Sequence, residues 1–163
     1  VAQSIKAIIL IAGVGKRLSG AKGDPKCLTK INGMPLLERY LRALQKLEVK
    51  DSIFVVGYKK ERIIEFVRRQ DFKGNVTFIE NPDYTQGSVL SLNKAAGELE
   101  NDVLLMDGDV YFEYALLKKF LGANQENSLA IDTASSSTGE EMMVGIKNDR
   151  VMDMQRNLAG DYD

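Results

Sequence analysis

The strongest constraint in this chain is the stretch 5–11, IKAIILI, a mostly β-branched apolar run that stops at a glycine-broken loop beginning Ala12-Gly13-Val14-Gly15-Lys16-Arg17. A strand that is apolar at nearly every position is covered on both faces, as the inner strands of parallel sheets are. Parallel neighbours need long crossover connections, and the rest of the chain supplies them. Pro35 stands at a helix start and is followed by Leu37, Tyr40, Leu41 and Leu44 at helical spacing. Asp51–Gly57 then reads as a second strand, Glu61–Arg69 as a second helix through Ile63, Ile64 and Val67, and Val76–Ile79 as a third strand.

The turn-rich stretch NPDYTQGS, residues 81–88, leads into a third helix marked by Leu92, Ala95, Ala96 and Leu99. Val103–Met106 is a fourth short strand that runs into Asp107-Gly108-Asp109, and a helix is expected over Glu113–Leu121. Repeated β-α units predict an α/β fold: a Rossmann-like, three-layer arrangement with a mainly parallel sheet flanked by helices. Towards the end the pattern changes. Leu129–Asp132 is a candidate strand, Ser135–Gly139 a polar loop, and Met142–Ile146 with Val151–Met154 a hairpin about Asn148-Asp149-Arg150, which makes the sheet mixed at one edge.

A length of 163 residues with 44% apolar content suits one core, so a single domain over residues 1–163 is expected. A net charge of -1 implies no general polyanion-binding surface, and neither a nucleic acid nor a membrane partner is expected. One cysteine and no histidine remove disulfide frameworks, Cys/His zinc sites and any histidine base. The opening apolar run is too short for a spanning helix or a signal-peptide core, so a cytoplasmic protein is expected.

Ligands of parallel α/β sheets gather at the carboxyl ends of the strands, and three unusual loops fall there: 12–26, 80–88 and 107–110. Residues 12–30 carry five basic residues (Lys16, Arg17, Lys22, Lys26, Lys30) against the single acid Asp24, a local charge of +4. Glycines let backbone N–H groups approach phosphate oxygens, and the basic side chains supply charge. The same composition also suits a solvated loop; its place after the first buried strand favours phosphate binding. Two familiar phosphate cradles do not fit. The P-loop pattern fails at Leu10 and Arg17, and the dinucleotide pattern GxGxxG fits Gly13 and Gly15 but fails at Leu18.

Asp107 and Asp109 at a strand end could hold a hard cation such as Mg²⁺, which prefers oxygen ligands and retains waters and phosphates; a plain Asp-Gly turn is the alternative. Gly87 and Ser88 open a helix, where free N–H groups could meet an anion or a base edge, although Ser88 could equally be an N-cap. Cys27 and the six methionines read as packing residues.

Taken in order, IILIAGVGKRL, DPKCL, INGMPLLERYL, FVVGY, NPDY with GS and SL, and LLMDGDV cover most of the chain. Together they resemble the signature of the nucleotidyltransferases, the nucleoside-diphosphate-sugar pyrophosphorylases and their cytidylyltransferase relatives. The look is closest to small cytidylyltransferases of the phosphocholine type. The resemblance implies the nucleotide-diphospho-sugar transferase-like fold and a Mg²⁺-dependent attack of a phosphate monoester on the α-phosphorus of an NTP, CTP favoured, with release of pyrophosphate.

By position, the resemblance gives Ala12 and Gly13 backbone contacts to base and ribose, and Gly15, Lys16 and Arg17 the triphosphate. Lys26 would contact phosphate, and Arg17 and Lys26 would be the catalytic cations. Gly87 and Ser88 would lie against the base, Asp109 would be the metal ligand and Asp107 its neighbour. Ile11 departs from the small residue usual before Ala-Gly. Relatives usually continue past this point, so the domain is expected to be incomplete at its C-terminal end. A sugar-1-phosphate enzyme and a nucleotide-sensing subunit without activity are the alternatives, with a dinucleotide-dependent oxidoreductase disfavoured by the failed GxGxxG.

Overall fold

The computed structural model describes residues 5–15, 23–123, 126–134, 141–156 and 158. Its first strand, β1 (Lys6–Ile11), is the buried run read from the sequence. Ala7, Ile8 and Ile9 are wholly buried, and since successive strand residues point to opposite faces, both faces of the sheet are covered there. Two short strands, β2 (Lys30–Ile31) and β3 (Met34–Pro35), pair antiparallel about Asn32 and Gly33, both at positive φ. Asn-Gly is the usual pair for such a two-residue turn, so this small hairpin was legible in the sequence although it was not read there.

Helix α1 (Leu36–Lys46) follows, with Leu37, Tyr40, Leu41 and Leu44 buried as the spacing predicts. Then come β4 (Asp51–Val56), α2 (Lys60–Arg68), β5 (Asn75–Glu80), α3 (Ser88–Lys94), β6 (Val103–Asp107) and α4 (Tyr114–Gly122). Four strands form one sheet in the order β5-β4-β1-β6, and every pairing in it is parallel. Ile8 lies beside Ile53 on one side and Leu105 on the other. On one face Ile8, Ile53 and Val55 pack with Ala95, which follows α3.

This order matters for function. The chain builds outward from β1 through β4 to β5, then crosses back to add β6 on β1's other side, so the topology switches between β1 and β6. A crevice opens at such a switch, outside the carboxyl ends of the strands. The loops after β1 and β6 are the glycine-lysine loop and the Asp-Gly-Asp loop.

Some elements differ from expectation. The third helix opens at Ser88, as read, but ends at Lys94, short of Ala95, Ala96 and Leu99; Ala96–Glu98 forms only a 3₁₀ turn. Gly97 sits in that turn, and glycine costs a helix interior about 1 kcal/mol relative to alanine. Leu129–Asp132 forms no strand: no segment among the described residues pairs with it, and Leu129 and Ile131 stay largely exposed. The hairpin expected near the end is present as β7 (Met143–Lys147) and β8 (Arg150–Gln155), a separate two-stranded antiparallel sheet turning on Asn148 and Asp149 at positive φ. The loop Ser135–Gly139 lies outside the described residues.

The chain divides into two compact units at the Lys119–Phe120 bond. The parallel sheet belongs to the first and the β7–β8 hairpin to the second. No described helix is long and apolar enough to cross a membrane.

Candidate active site

Where β1 ends, the backbone turns into the crevice. The Ala12 carbonyl accepts a hydrogen bond from the Tyr58 N–H at 2.9 Å, which anchors the loop entrance to the segment after β4. Gly57 makes this approach possible: a Cβ there would stand 2.9 Å from the Ala12 oxygen and 2.7 Å from the Tyr84 ring. Tyr84 therefore packs over Gly57, its ring 6.4 Å from that of Tyr58.

Gly15 has φ +68°, and a Cβ on it would fall 2.4 Å from Lys26. Only glycine lets the lysine stem lie across the loop in this way. Lys16 and Arg17, expected to hold triphosphate, lie outside the described residues, as do Leu18 and Lys22. The chain returns at Gly23, whose carbonyl accepts from Lys59 Nζ at 2.8 Å, and at Asp24, which pairs with Arg62. After buried Pro25, a 3₁₀ turn over Lys26–Leu28 presents Lys26 to the crevice and directs Cys27 inward. Burial pushes the Cys27 thiol up to about 12, which disfavours the reactive thiolate and agrees with a packing residue.

The opposite wall is the turn after β6. The Gly108 N–H donates to the Leu10 carbonyl at 2.9 Å, and a Cβ on Gly108 would sit 1.9 Å from Ile11 Cγ2. Ile11, the unusual residue before Ala12-Gly13, is thus packed against the glycine between the two aspartates. Asp109 Oδ2 lies 3.1 Å from Lys26 Nζ; the lysine side chain is 25% exposed and the carboxylate 48%. Desolvation, with the charge of Asp109 adding to it, raises the Asp107 carboxyl above its ordinary value. Of the two carboxylates, Asp109 is the one that faces a cationic group, the Lys26 ammonium.

The third wall is the segment from β5 to α3. Asn81 is fully buried; its Nδ2 donates to Ser91 Oγ at 2.9 Å and its Oδ1 accepts from the Asp83 N–H at 3.0 Å. These bonds fold residues 81–88 back over the crevice. Gly87 takes φ +125° and holds the cap position of α3, so Ser88 is the first helical residue and not the N-cap.

The three walls enclose a cleft of about 420 Å³. Ala12, Gly13, Gly15, Lys26, Gly87, Ser88, Asp107 and Asp109 all line it. Every described residue that the sequence singles out as a candidate is therefore brought to one place. Sequence reasoning missed Thr85 and Ser91, which also line the cleft, and Tyr40, which braces its acidic wall from below. Tyr40 had a signal: a phenol on the buried face of a helix must find a polar partner.

Among the described residues no group of three or more His, Cys, Asp or Glu gathers as a metal cage. The donor set is instead one or two hard carboxylate oxygens at the edge of a polar cleft. That set fits Mg²⁺, which binds through one or two carboxylates and completes its shell with waters and substrate phosphates.

Comparison with known proteins agrees with this architecture. The MobA-like NTP transferase domain matches residues 7–162. The CMP-5'-(3-aminopropyl)phosphonate synthase of Streptomyces rubellomurinus is 32% identical over 131 residues, 79% of this chain and 21% of its own length. The choline-phosphate cytidylyltransferase of Streptococcus pneumoniae is 34% identical over 109 residues, 66% of this chain and 45% of its own. The chain thus spans less than half the length of either relative. The solved inositol-1-phosphate CTP transferase from T. maritima superposes with a TM-score of 0.76 at 25% identity, covering 98% of this chain and 67% of that one. The parallel sheet and its flanking helices are those of the nucleotide-diphospho-sugar transferase fold, the nucleotidyltransferase resemblance read in the sequence is borne out, and the chain belongs to the MobA-like NTP transferase domain family.

Proposed function

We propose that this chain is the Mg²⁺-dependent catalytic part of a nucleotidyltransferase that couples an NTP, CTP favoured, to a small phosphorylated or phosphonylated alcohol or amine, such as phosphocholine, and releases pyrophosphate. The observation that carries this reading is the convergence of Gly15, Lys26, Gly87 and Asp109 on one cleft at the β1–β6 switch. The names of the relatives support the choice of CTP and of a small phosphate or phosphonate acceptor. A cytosolic setting is part of the proposal and agrees with a lone, buried, reduced cysteine.

The roles follow from the chemistry. Ala12 and Gly13 offer backbone groups to base and ribose, and Gly87 and Ser88 close over the base. Gly15, Lys16 and Arg17 cradle the triphosphate. Lys26 holds phosphate oxygens, and Arg17 and Lys26 stabilise charge on the reacting α-phosphate. Asp109 would hold Mg²⁺, with Asp107 beside it; when bound, the ion neutralises triphosphate charge. The acceptor oxygen is already anionic, so it attacks the α-phosphorus without a base as the bond to the pyrophosphate oxygen breaks and the electron pair leaves with pyrophosphate. The residues need only align the two and neutralise charge, which explains how a chain without histidine can do this chemistry.

The test is pyrophosphate release by the full-length protein with each of four NTPs crossed with phosphocholine, aminoethylphosphonate, polyol phosphates and hexose 1-phosphates. CTP with a phospho-alcohol or phosphonate is expected to give turnover, and Asp109→Ala to lower it by at least about a hundredfold, the scale of one lost electrostatic contact. Turnover with a hexose 1-phosphate only would replace the acceptor class. Nucleotide binding with no pyrophosphate from any pair would replace the enzyme with a nucleotide sensor of the same fold.

A further inference from the structure

Tyr40 sits on the buried face of α1 with Leu37, Leu41 and Leu44, 1% exposed, its ring 4.8 Å from that of Phe112. A leucine or phenylalanine could fill this position as well. What the phenol adds is at its tip. The Tyr40 hydroxyl accepts the Val110 N–H at 3.1 Å and lies 2.8 Å from the Asp107 carbonyl oxygen, with the Val110 carbonyl also in contact. Its one proton can go to either carbonyl while its lone pair holds the Val110 N–H. One hydroxyl thus ties both ends of the four-residue turn Asp107–Val110.

Asp109 lies inside that turn. The other holds on the turn's backbone, the Gly108 N–H on the Leu10 carbonyl and Ile11 against Gly108, act before Asp109 in the chain, while Lys26 pairs with the Asp109 carboxylate from the cleft side. Tyr40 alone among these reaches the peptide that follows Asp109. Without it, the Val110 N–H loses its bond and the peptide carrying the carboxylate can rotate away from the cleft.

We propose that Tyr40 is a positioning residue whose buried hydroxyl fixes the direction of the Asp109 carboxylate, so that metal-assisted nucleotide binding depends on a phenol outside the cleft. This rests on the reading of Asp109 as the metal carboxylate. Groups that orient a metal ligand from behind usually matter by about ten- to a hundredfold in affinity or activity.

The experiment titrates whichever of ATP, CTP, GTP and UTP binds tightest into the protein by calorimetry, with and without saturating Mn²⁺. The readout is the factor by which Mn²⁺ tightens binding. Tyr40→Phe keeps the ring and removes only the hydroxyl, and is expected to cut that factor by about tenfold while metal-free nucleotide affinity stays within about twofold. Leu44→Ala, a cavity one turn further along the same buried helix face, controls for lost stability and should leave the factor unchanged. If Asp109→Ala removes the Mn²⁺ effect but Tyr40→Phe preserves it, or if Leu44→Ala lowers it as much as Tyr40→Phe, the positioning role is overturned and the metal assignment stands. If Asp109→Ala leaves the Mn²⁺ effect intact, both are overturned.

Discussion

Gly108 shows how one atom's absence can decide a site. Its Cα faces Ile11 so closely that an added Cβ would lie 1.9 Å from Ile11 Cγ2 and 3.0 Å from the Leu10 carbonyl oxygen. Gly108→Ala must push either the aspartate turn or the end of β1 aside, at a cost of about 1–3 kcal/mol. Ile11→Ala alone leaves a cavity, for roughly 2–5 kcal/mol, but removes the methyl that the new Cβ would strike. The double variant should therefore lose clearly less stability than the two single losses added, as read from urea midpoints. Additivity within about 0.5 kcal/mol would show that the two residues do not press on each other. The sequence marked Ile11 as a departure and Asp107-Gly108-Asp109 as a candidate turn. It could not show that they touch, because contact between the ends of β1 and β6 depends on which strands are neighbours.

At the scale of elements, the segment from β5 to α3 hangs on Asn81. Asn81→Ala would leave Ser91 Oγ and the Asp83 N–H without their partner in a buried setting, costing about 1–3 kcal/mol. Because the same bonds aim Gly87 and Ser88 at the cleft, nucleotide affinity should fall as well. Thermal unfolding together with nucleotide titration checks this; a stability loss with unchanged affinity would mean that Asn81 supports the fold alone.

Strands and helices of the parallel sheet were legible in sequence because each carries a long enough apolar pattern: continuous in β1 and β4, helical in α1. What escaped were features set by few residues or by distant pairing. The β2–β3 hairpin is two residues a side, α3 stops short near Gly97, and Leu129–Asp132 has apolar residues but no strand to pair with among the described residues.

At the scale of the molecule, charge is arranged against the average. A chain of net -1 concentrates basic residues in 12–30, and of that segment's described residues Ala12, Gly13, Gly15 and Lys26 line a cleft that also holds two aspartates. The candidate residues, and their place at the carboxyl edge of the sheet, were legible because glycine, lysine and aspartate loops follow apolar strands; which loops face one another was not, since it follows from the order β5-β4-β1-β6. Tyr40 escaped because its ring satisfies the helical pattern and conceals what its hydroxyl holds.

The Lys26–Asp109 bond joins positions 83 residues apart, and the two residues are proposed to serve different partners, phosphate and metal. With Asp109 as the proposed metal carboxylate, the lysine would be a rival of the metal in the protein alone: an ammonium and a divalent cation would contend for the same carboxylate oxygen. Arriving phosphate would draw the lysine away and release the carboxylate, so nucleotide should come first and metal affinity should rise only afterwards. Lys26→Met should accordingly change the two affinities in opposite senses. Nucleotide binding weakens, while Mn²⁺ without nucleotide binds tighter by about two- to fivefold, the scale of a half-exposed ion pair, as followed by the Mn²⁺ resonance signal. Equal or weaker Mn²⁺ binding in that variant would mean that the pair never held the metal back.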